Sequence, residues 1–165
     1  MKFVICIDIP AVYFTAKTLR IGVEYSEMLS ILREELRLQA GDTVDVHGFT
    51  TCKESYKAQE DFLASLSELG IVLHKYPTDV RGPYTAEMLA VAIAADAREV
   101  VIVSNDAASV RAGKLLEDGP MIMTVAYFST DLPTGSLPAL LNDEVGFIDF
   151  AKEPLLSRIL RKKRG

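Results

Sequence analysis

Apolar residues are spaced in two ways along the chain, and the change of spacing separates predicted strands from predicted helices. Six short segments are continuously apolar or alternate with polar residues, as in strands that contribute to a buried sheet. They predict strands over residues 2–9, 43–49, 71–76, 100–104, 121–128 and 146–150. The segments between them predict helices over residues 26–38, 55–69, 86–97, 107–118 and 136–142.

Capping residues give the expected ends of these elements. Ser26 is predicted to cap the first helix and Gly41 lies just beyond its end, while Gly70 stops the second helix. Pro10 predicts a loop directly after the first strand. The segment AEMLAVAIAADA, residues 86–97, is apolar on nearly every side, so it predicts a buried helix.

Repeated strand–helix units with apolar strands indicate an α/β fold, in which helices cover both faces of a parallel sheet. The chain has 165 residues, 49% of them hydrophobic, which is enough for one core. We predict one domain over residues 2–150 and a basic tail over residues 151–165. If the first three strands wind in the order 3-2-1 and the fourth returns beside the first, the ligand crevice lies between strands one and four.

Composition restricts the class of protein. The apolar stretches are shorter than the roughly 18 residues of a membrane span, and Asp8 interrupts what would be the apolar part of a signal peptide. We therefore expect a soluble, cytoplasmic protein with no membrane contact. Cys6 and Cys52 have no partner at disulfide or zinc-site spacing.

Charge is unevenly distributed. Of 18 basic residues, five lie between Arg158 and Arg164, so the rest of the chain has 13 basic and 23 acidic residues. An acidic body repels phosphate, so nucleic-acid binding needs metal cations, the tail or a local basic patch. The tail is interpreted as a short amphipathic end whose charges keep it solvated.

Two acids fall at the predicted crevice. Asp8 lies near the end of the first strand and Asp106 follows the fourth, and two converging carboxylates require a cation or a shared proton. The alternative for Asp106 is a helix N-cap, which stabilises a helix by about 1 kcal/mol. Asp8 lies among residues expected to be buried, where a carboxylate needs a partner. His47 and His74 are interpreted as partly buried side chains with their hydrogen bonds met.

The common motifs for acyl transfer, P-loop phosphoryl transfer and dinucleotide binding are missing from the sequence. Five other features of the sequence point to a known family. They are the order of elements, the opening FVICIDIPAVY, the pair Arg81 and Gly82, the tract VIVSND and the final SLPALLNDEVGFIDF. Together they resemble the NYN domain. This is the branch of the PIN-like nuclease superfamily that includes LabA-like proteins, and the resemblance covers residues 2 to about 150. It implies a three-layer α/β/α sandwich, Rossmann-like, with strand order 3-2-1-4-5, and a ribonuclease that uses Mg²⁺ or Mn²⁺.

The resemblance carries over only part of the family's acidic cluster. Asp8 matches the first acid, but Ala11 stands at the Asn position that follows it. In the pattern S-N-D-x-D-F, the first three residues match, whereas Ala108 and Ser109 replace the second acid and the aromatic residue.

A further family acid, the one after the basic-Gly pair, falls at Tyr84 or Thr85, and the nearest carboxylate is Glu87. The resemblance thus implies Asp8 and Asp106 as metal ligands, Glu87 as a supplementary catalytic acid, and RNA-phosphate contacts from Arg81, Arg111 and Lys114. Two functions stay open: a metal-dependent ribonuclease, and a catalytically inactive NYN-like module that binds RNA or a protein. A third and weaker alternative is a pocket for a small-molecule nucleotide at the same crevice. The sequence also leaves open a homodimer or a protein partner.

Overall fold

The protein is described by a computed structural model that covers residues 1–53, 57–80, 84–105, 121–129 and 146–160. Its centre is a sheet of six parallel strands in the order β3-β2-β1-β4-β5-β6. The strands are β1 (Lys2–Asp8), β2 (Thr43–Thr51), β3 (Val72–Tyr76), β4 (Glu99–Val103), β5 (Ile122–Tyr127) and β6 (Gly146–Asp149). The described helices are α1 (Ile9–Leu19), α2 (Tyr25–Glu35), α3 (Lys57–Glu68), α4 (Thr85–Ala94) and α5 (Leu155–Ile159).

The predicted architecture is confirmed. The fold is a three-layer α/β/α sandwich, because two separate apolar cores lie on the two faces of the sheet. One core joins the sheet to α1, α2, α3 and α5, and the other joins it to α4. The order 3-2-1-4-5 continues into a sixth strand beside β5. The predicted helices at 107–118 and 136–142 lie outside the described residues.

The loop predicted at Pro10 is wrong, since residues Ile9–Leu19 form helix α1. Proline needs no backbone donor in the first turn of a helix, and its fixed φ suits that position. Asp8 caps the helix, and Arg20 ends it in the left-handed region with φ 57°. Pro10 therefore stands in the first turn of a helix and not in a loop.

Helix α2 does not use the predicted caps. It begins at Tyr25, so Glu24 and not Ser26 occupies the N-cap position. The Ser26 hydroxyl donates to Glu24 Oε1 at 3.0 Å. Gly41 lies well past the helix end, with a positive φ of 88° in the turn that leads into β2. By contrast, Gly70 is confirmed as the stop after α3, where it adopts φ 86° and donates to the carbonyl of Ser67.

Helix α4 is only partly buried, although its apolar composition predicted full burial. Met88 and Ala92 face the second core, whereas Ile93 is 63% exposed. Small alanines line much of the outward side, so the helix exposes little apolar area despite its composition. Among the described residues, none of the helices is long and apolar enough to span a bilayer.

The described part of the predicted tail contributes to the first core. Ile159 on α5 is fully buried, its carbonyl accepts a 2.8 Å hydrogen bond from the Glu24 N–H, and Leu160 forms a bridge with Val23. On the outer side, the Arg158 guanidinium donates to both Glu34 carboxylate oxygens at 2.7 and 3.0 Å. The segment is amphipathic as expected, and its apolar side is packed against α2.

Candidate functional site

The strand order reverses direction between β1 and β4, which are hydrogen-bonded neighbours. Ile7 pairs with Val103, so Asp8 and Ser104 follow next to each other at the carboxyl edge of the sheet. Both are buried polar residues, with exposed fractions of 5% and 2%. In open parallel sheets this is where ligands bind, and we define the candidate site by Asp8, Ser104 and the side chains around them.

Asp8 has a structural role in addition to its place at the crevice. Its Oδ1 accepts a hydrogen bond from the Ala11 N–H at 3.1 Å and caps α1. This bond supplies one of the partners that a buried carboxylate requires. The sequence analysis considered an N-cap for Asp106 but not for Asp8, because helix α1 was not predicted.

Asn105, the middle residue of the S-N-D tract, holds two strand ends together. Its Oδ1 accepts from the Phe128 N–H at 2.8 Å, and its Nδ2 donates to the Phe128 carbonyl at 2.9 Å. The amide thereby continues the pairing of β4 with β5 beyond Val103. We infer that its match to the family pattern reflects a structural requirement at this edge.

Tyr84 connects Asp8 to Glu87. It precedes α4, its side chain is 1% exposed, and its hydroxyl donates to the Val80 carbonyl at 3.3 Å. Burial is the main cause that raises the pKa of Tyr84, and the carboxylates of Asp8 and Glu87 raise it further. Both carboxylates therefore act electrostatically on the Tyr84 hydroxyl.

The ring of Tyr84 stacks against two other aromatic rings. Its ring lies parallel to that of Tyr76, with centroids 5.1 Å apart, and also stacks on Phe49 at 6.4 Å. Phe49 is completely buried and stacks on His74 at 4.5 Å. The position of the Tyr84 hydroxyl is thus fixed by packing of the second core, and this role was not predicted from sequence.

The described residues by themselves do not form a metal site. Among them, no three His, Cys, Asp or Glu side chains lie close enough together to hold an ion. Asp8 and Glu87 offer carboxylate oxygens, the donors that Mg²⁺ and Mn²⁺ prefer. The other predicted site residues, Asp106, Arg81, Arg111 and Lys114, lie outside the described residues, so the pairing of Asp8 with Asp106 stays a prediction.

A second acid at the carboxyl edge was not singled out from sequence. Asp149 ends β6, and its Oδ1 accepts from the Ser129 and Ala151 N–H groups at 2.9 Å each. β6 is three strands from β1, or about 14 Å at the usual strand spacing. Asp149 is therefore too far from Asp8 to share an ion and holds the loops after β5 and β6 instead.

Cys6 is not suited to nucleophilic or metal chemistry. Cys6 is fully buried in β1, and burial raises the pKa of its thiol to about 12. Because the thiolate is the reactive form, Cys6 is inert at neutral pH. Both Cys6 and Cys52 are free, in agreement with the sequence prediction.

His47 and His74 bond to each other, as expected for partly buried histidines with their hydrogen bonds met. The His47 Nδ1 and His74 Nε2 atoms lie 2.9 Å apart, so one ring donates and the other accepts. Burial is the main cause that lowers the pKa of each ring, and the charge of His74 further lowers the pKa of His47. Protonation of both rings would bring two cations together and remove the acceptor.

This pair predicts a loss of stability in mild acid. The ordinary pKa of 6.5 lies above the folded-state values, so the unfolded chain binds protons first as the pH falls. The contribution of this pair to the free energy of unfolding is expected to stay constant above pH 6.5. It should decrease as the pH falls below 6.5 and through the pKa values of His47 and His74 in the folded protein. Urea denaturation at several pH values measures this, and a His47→Gln/His74→Gln variant should show a smaller decrease. An equal decrease in that variant would assign the effect to other groups.

The comparisons with known proteins give no independent support for a family. Searches of protein-family models, curated proteins and solved structures gave no significant match to this chain. The resemblance to the NYN domain therefore depends on the sequence motifs alone.

Proposed function

We propose that this protein is a metal-dependent ribonuclease of the NYN or PIN-like type, which hydrolyses RNA phosphodiesters at the carboxyl edge of the sheet. The observation that supports it is a buried Asp8 at the β1–β4 reversal, together with Glu87 and the Tyr84 hydroxyl that both acids influence. A buried carboxylate at the ligand-binding edge is what this chemistry requires. In this proposal, Asp8 and Asp106 hold Mg²⁺ or Mn²⁺.

Each residue has a distinct role in the proposal. The bound ion would polarise the scissile phosphate and lower the pKa of an attacking water. Glu87 is partly exposed in the first turn of α4, so it is able to supplement the acids or to accept a proton from that water. Arg81, Arg111 and Lys114 are proposed to contact RNA phosphates. Asp8 is only 5% exposed, and burial of a carboxylate strengthens its charge interactions.

A second candidate is a NYN-like module that binds RNA or a protein without cutting. Two points favour it. Asp8 Oδ1 already accepts from the Ala11 N–H, and the family acid that follows the basic-Gly pair falls at Tyr84 or Thr85, neither of which is a carboxylate. Phosphodiester hydrolysis with two ions needs bridging carboxylates that two acids rarely supply. A cleavage assay separates the two candidates.

The test is cleavage of labelled single-stranded RNA in the presence of Mn²⁺. The wild-type chain is expected to cut, and Asp8→Asn is expected to lower the rate at least about tenfold, because an amide binds a divalent cation poorly. Asparagine keeps an oxygen that accepts the Ala11 N–H, and it is as good an N-cap as aspartate. The melting temperature of Asp8→Asn should consequently stay near that of the wild type.

Asp61→Asn is the matched control, since it removes the same charge from an exposed position on α3. It should leave both cleavage and melting temperature unchanged. No cleavage by the wild-type chain would favour the inactive module, while equal cleavage by Asp8→Asn would exclude Asp8 from the reaction.

A further inference from the structure

Helix α1 carries two large aromatic side chains on its solvent side. Tyr13 is 54% exposed and Phe14 is 62% exposed, and their rings meet edge to face with centroids 5.6 Å apart and planes at 74°. The buried side of the same helix is formed by Ile9, Val12 and Ala16. Tyr13 and Phe14 therefore contribute little to the core, and more than half of each side chain is exposed.

The segment that carries these rings is basic, whereas the chain as a whole is acidic. Residues 9–23 contain no acid, although the chain has a formal net charge of −5. Lys17 and Arg20 are both exposed. Lys17 follows Tyr13 at i+4, on the same side of the helix, and Arg20 is the C-cap at its end. Within the described part of the chain, neither cation forms an ion pair with an acid. This is a local basic patch on an acidic body, as phosphate binding requires.

The patch is also continuous with the candidate site. Helix α1 starts directly after Asp8, and Tyr13 is five residues further, or about 7.5 Å along the helix axis. A nucleotide chain bound along the exposed side of α1 therefore ends near the buried carboxylate. This continuity and the charge favour a nucleic acid over a protein as the occupant.

We propose that Tyr13 and Phe14 stack on unpaired bases of single-stranded RNA while Lys17 and Arg20 contact its phosphates. The inference rests on the proposed function and specifies its substrate. Aromatic side chains stack on bases whose faces are free, whereas in a duplex those faces are covered by neighbouring base pairs. Two rings beside two cations are the combination found in surfaces that bind single strands without strong sequence preference.

The test measures binding and not cleavage, so that it is independent of catalysis. Fluorescence anisotropy of a labelled mixed-sequence RNA is recorded with the full chain and without divalent metal, for the single strand and for its duplex. The Tyr13→Ala/Phe14→Ala variant is expected to bind the single strand about tenfold more weakly or worse. The Tyr13→Phe/Phe14→Tyr variant keeps both rings and should retain wild-type affinity.

Two further variants distinguish the contribution of ring stacking to RNA affinity from that of charge, and from the effect of removing any exposed apolar side chain. Lys17→Ala/Arg20→Ala should weaken binding and reduce its dependence on salt concentration. Ile93→Ala removes an apolar side chain of similar exposure from α4, and should not change RNA affinity.

The outcomes are distinguishable from those of the cleavage assay. RNA binding that depends on the two rings but occurs without Mn²⁺-dependent cleavage would support this inference and contradict the ribonuclease. Unchanged affinity in the double alanine variant, equal binding of duplex and single strand, or no binding by the wild-type chain would overturn it. A change in oligomeric state with unchanged RNA affinity would also overturn it, and would assign the rings to a contact between two copies of the chain.

Discussion

Replacing Phe49 by alanine is expected to lower the free energy of unfolding by about 3–5 kcal/mol, the usual range for a buried aromatic residue. Phe49 lies near the carboxyl end of strand β2, between β3 and β1, and has no exposed surface. It stacks on both His74 and Tyr84, so the cavity left by alanine is bounded by two rings that are themselves held by other contacts. Urea denaturation followed by circular dichroism measures the change.

Phe14→Ala is the matched control for this prediction. It removes the same atoms from a side chain that is 62% exposed, so its effect should stay within about 0.5 kcal/mol. A loss below 1 kcal/mol for Phe49→Ala would mean that the surrounding rings close the cavity. In that case Tyr84 would move, and the arrangement of the candidate site would depend less on Phe49 than its stacking indicates.

The sheet was predictable because its strands are buried on both faces. Continuous apolar runs such as VVIVS specify such strands without ambiguity, and their alternation with helices requires parallel connections. The position of Asp8 at the edge of the sheet followed from the strand order alone. Long-range contacts were not needed for these predictions.

Other features depend on contacts that no local pattern contains. The start of α1 was missed because no helical spacing of apolar residues was recognised around Pro10. An acid at the N-cap, here Asp8, with a proline in the first turn is nevertheless a signal for the start of a helix. The coupling of Tyr84 to Asp8 and Glu87 joins the segment before α4 to the end of β1, and only the packed structure brings these together. The exposed pair Tyr13 and Phe14 could have been found, had the helix and its buried side been recognised.

Ile159→Ala is expected to destabilise the protein by about 2–5 kcal/mol, because the side chain is fully buried in the first core. The segment was interpreted from its charges as a solvated end. Its backbone is instead bonded to the chain between α1 and α2, through the Glu24 N–H and the bridge from Val23 to Leu160. A cavity at Ile159 should thus weaken the docking of α5 and the start of α2 together.

Leu160→Ala provides the control, since the next residue along the chain is 36% exposed and its truncation leaves a smaller cavity. Thermal and urea denaturation of the two variants should differ clearly, with Ile159→Ala the less stable. If both variants matched the wild type, α5 would detach without affecting the rest of the fold, and residues 155–160 would act as a tail. If Ile159→Ala alone lowered the stability and the whole protein still unfolded in one transition, the domain would end beyond residue 150. The reason is that a buried side chain stabilises the whole domain only when its own segment unfolds together with the rest.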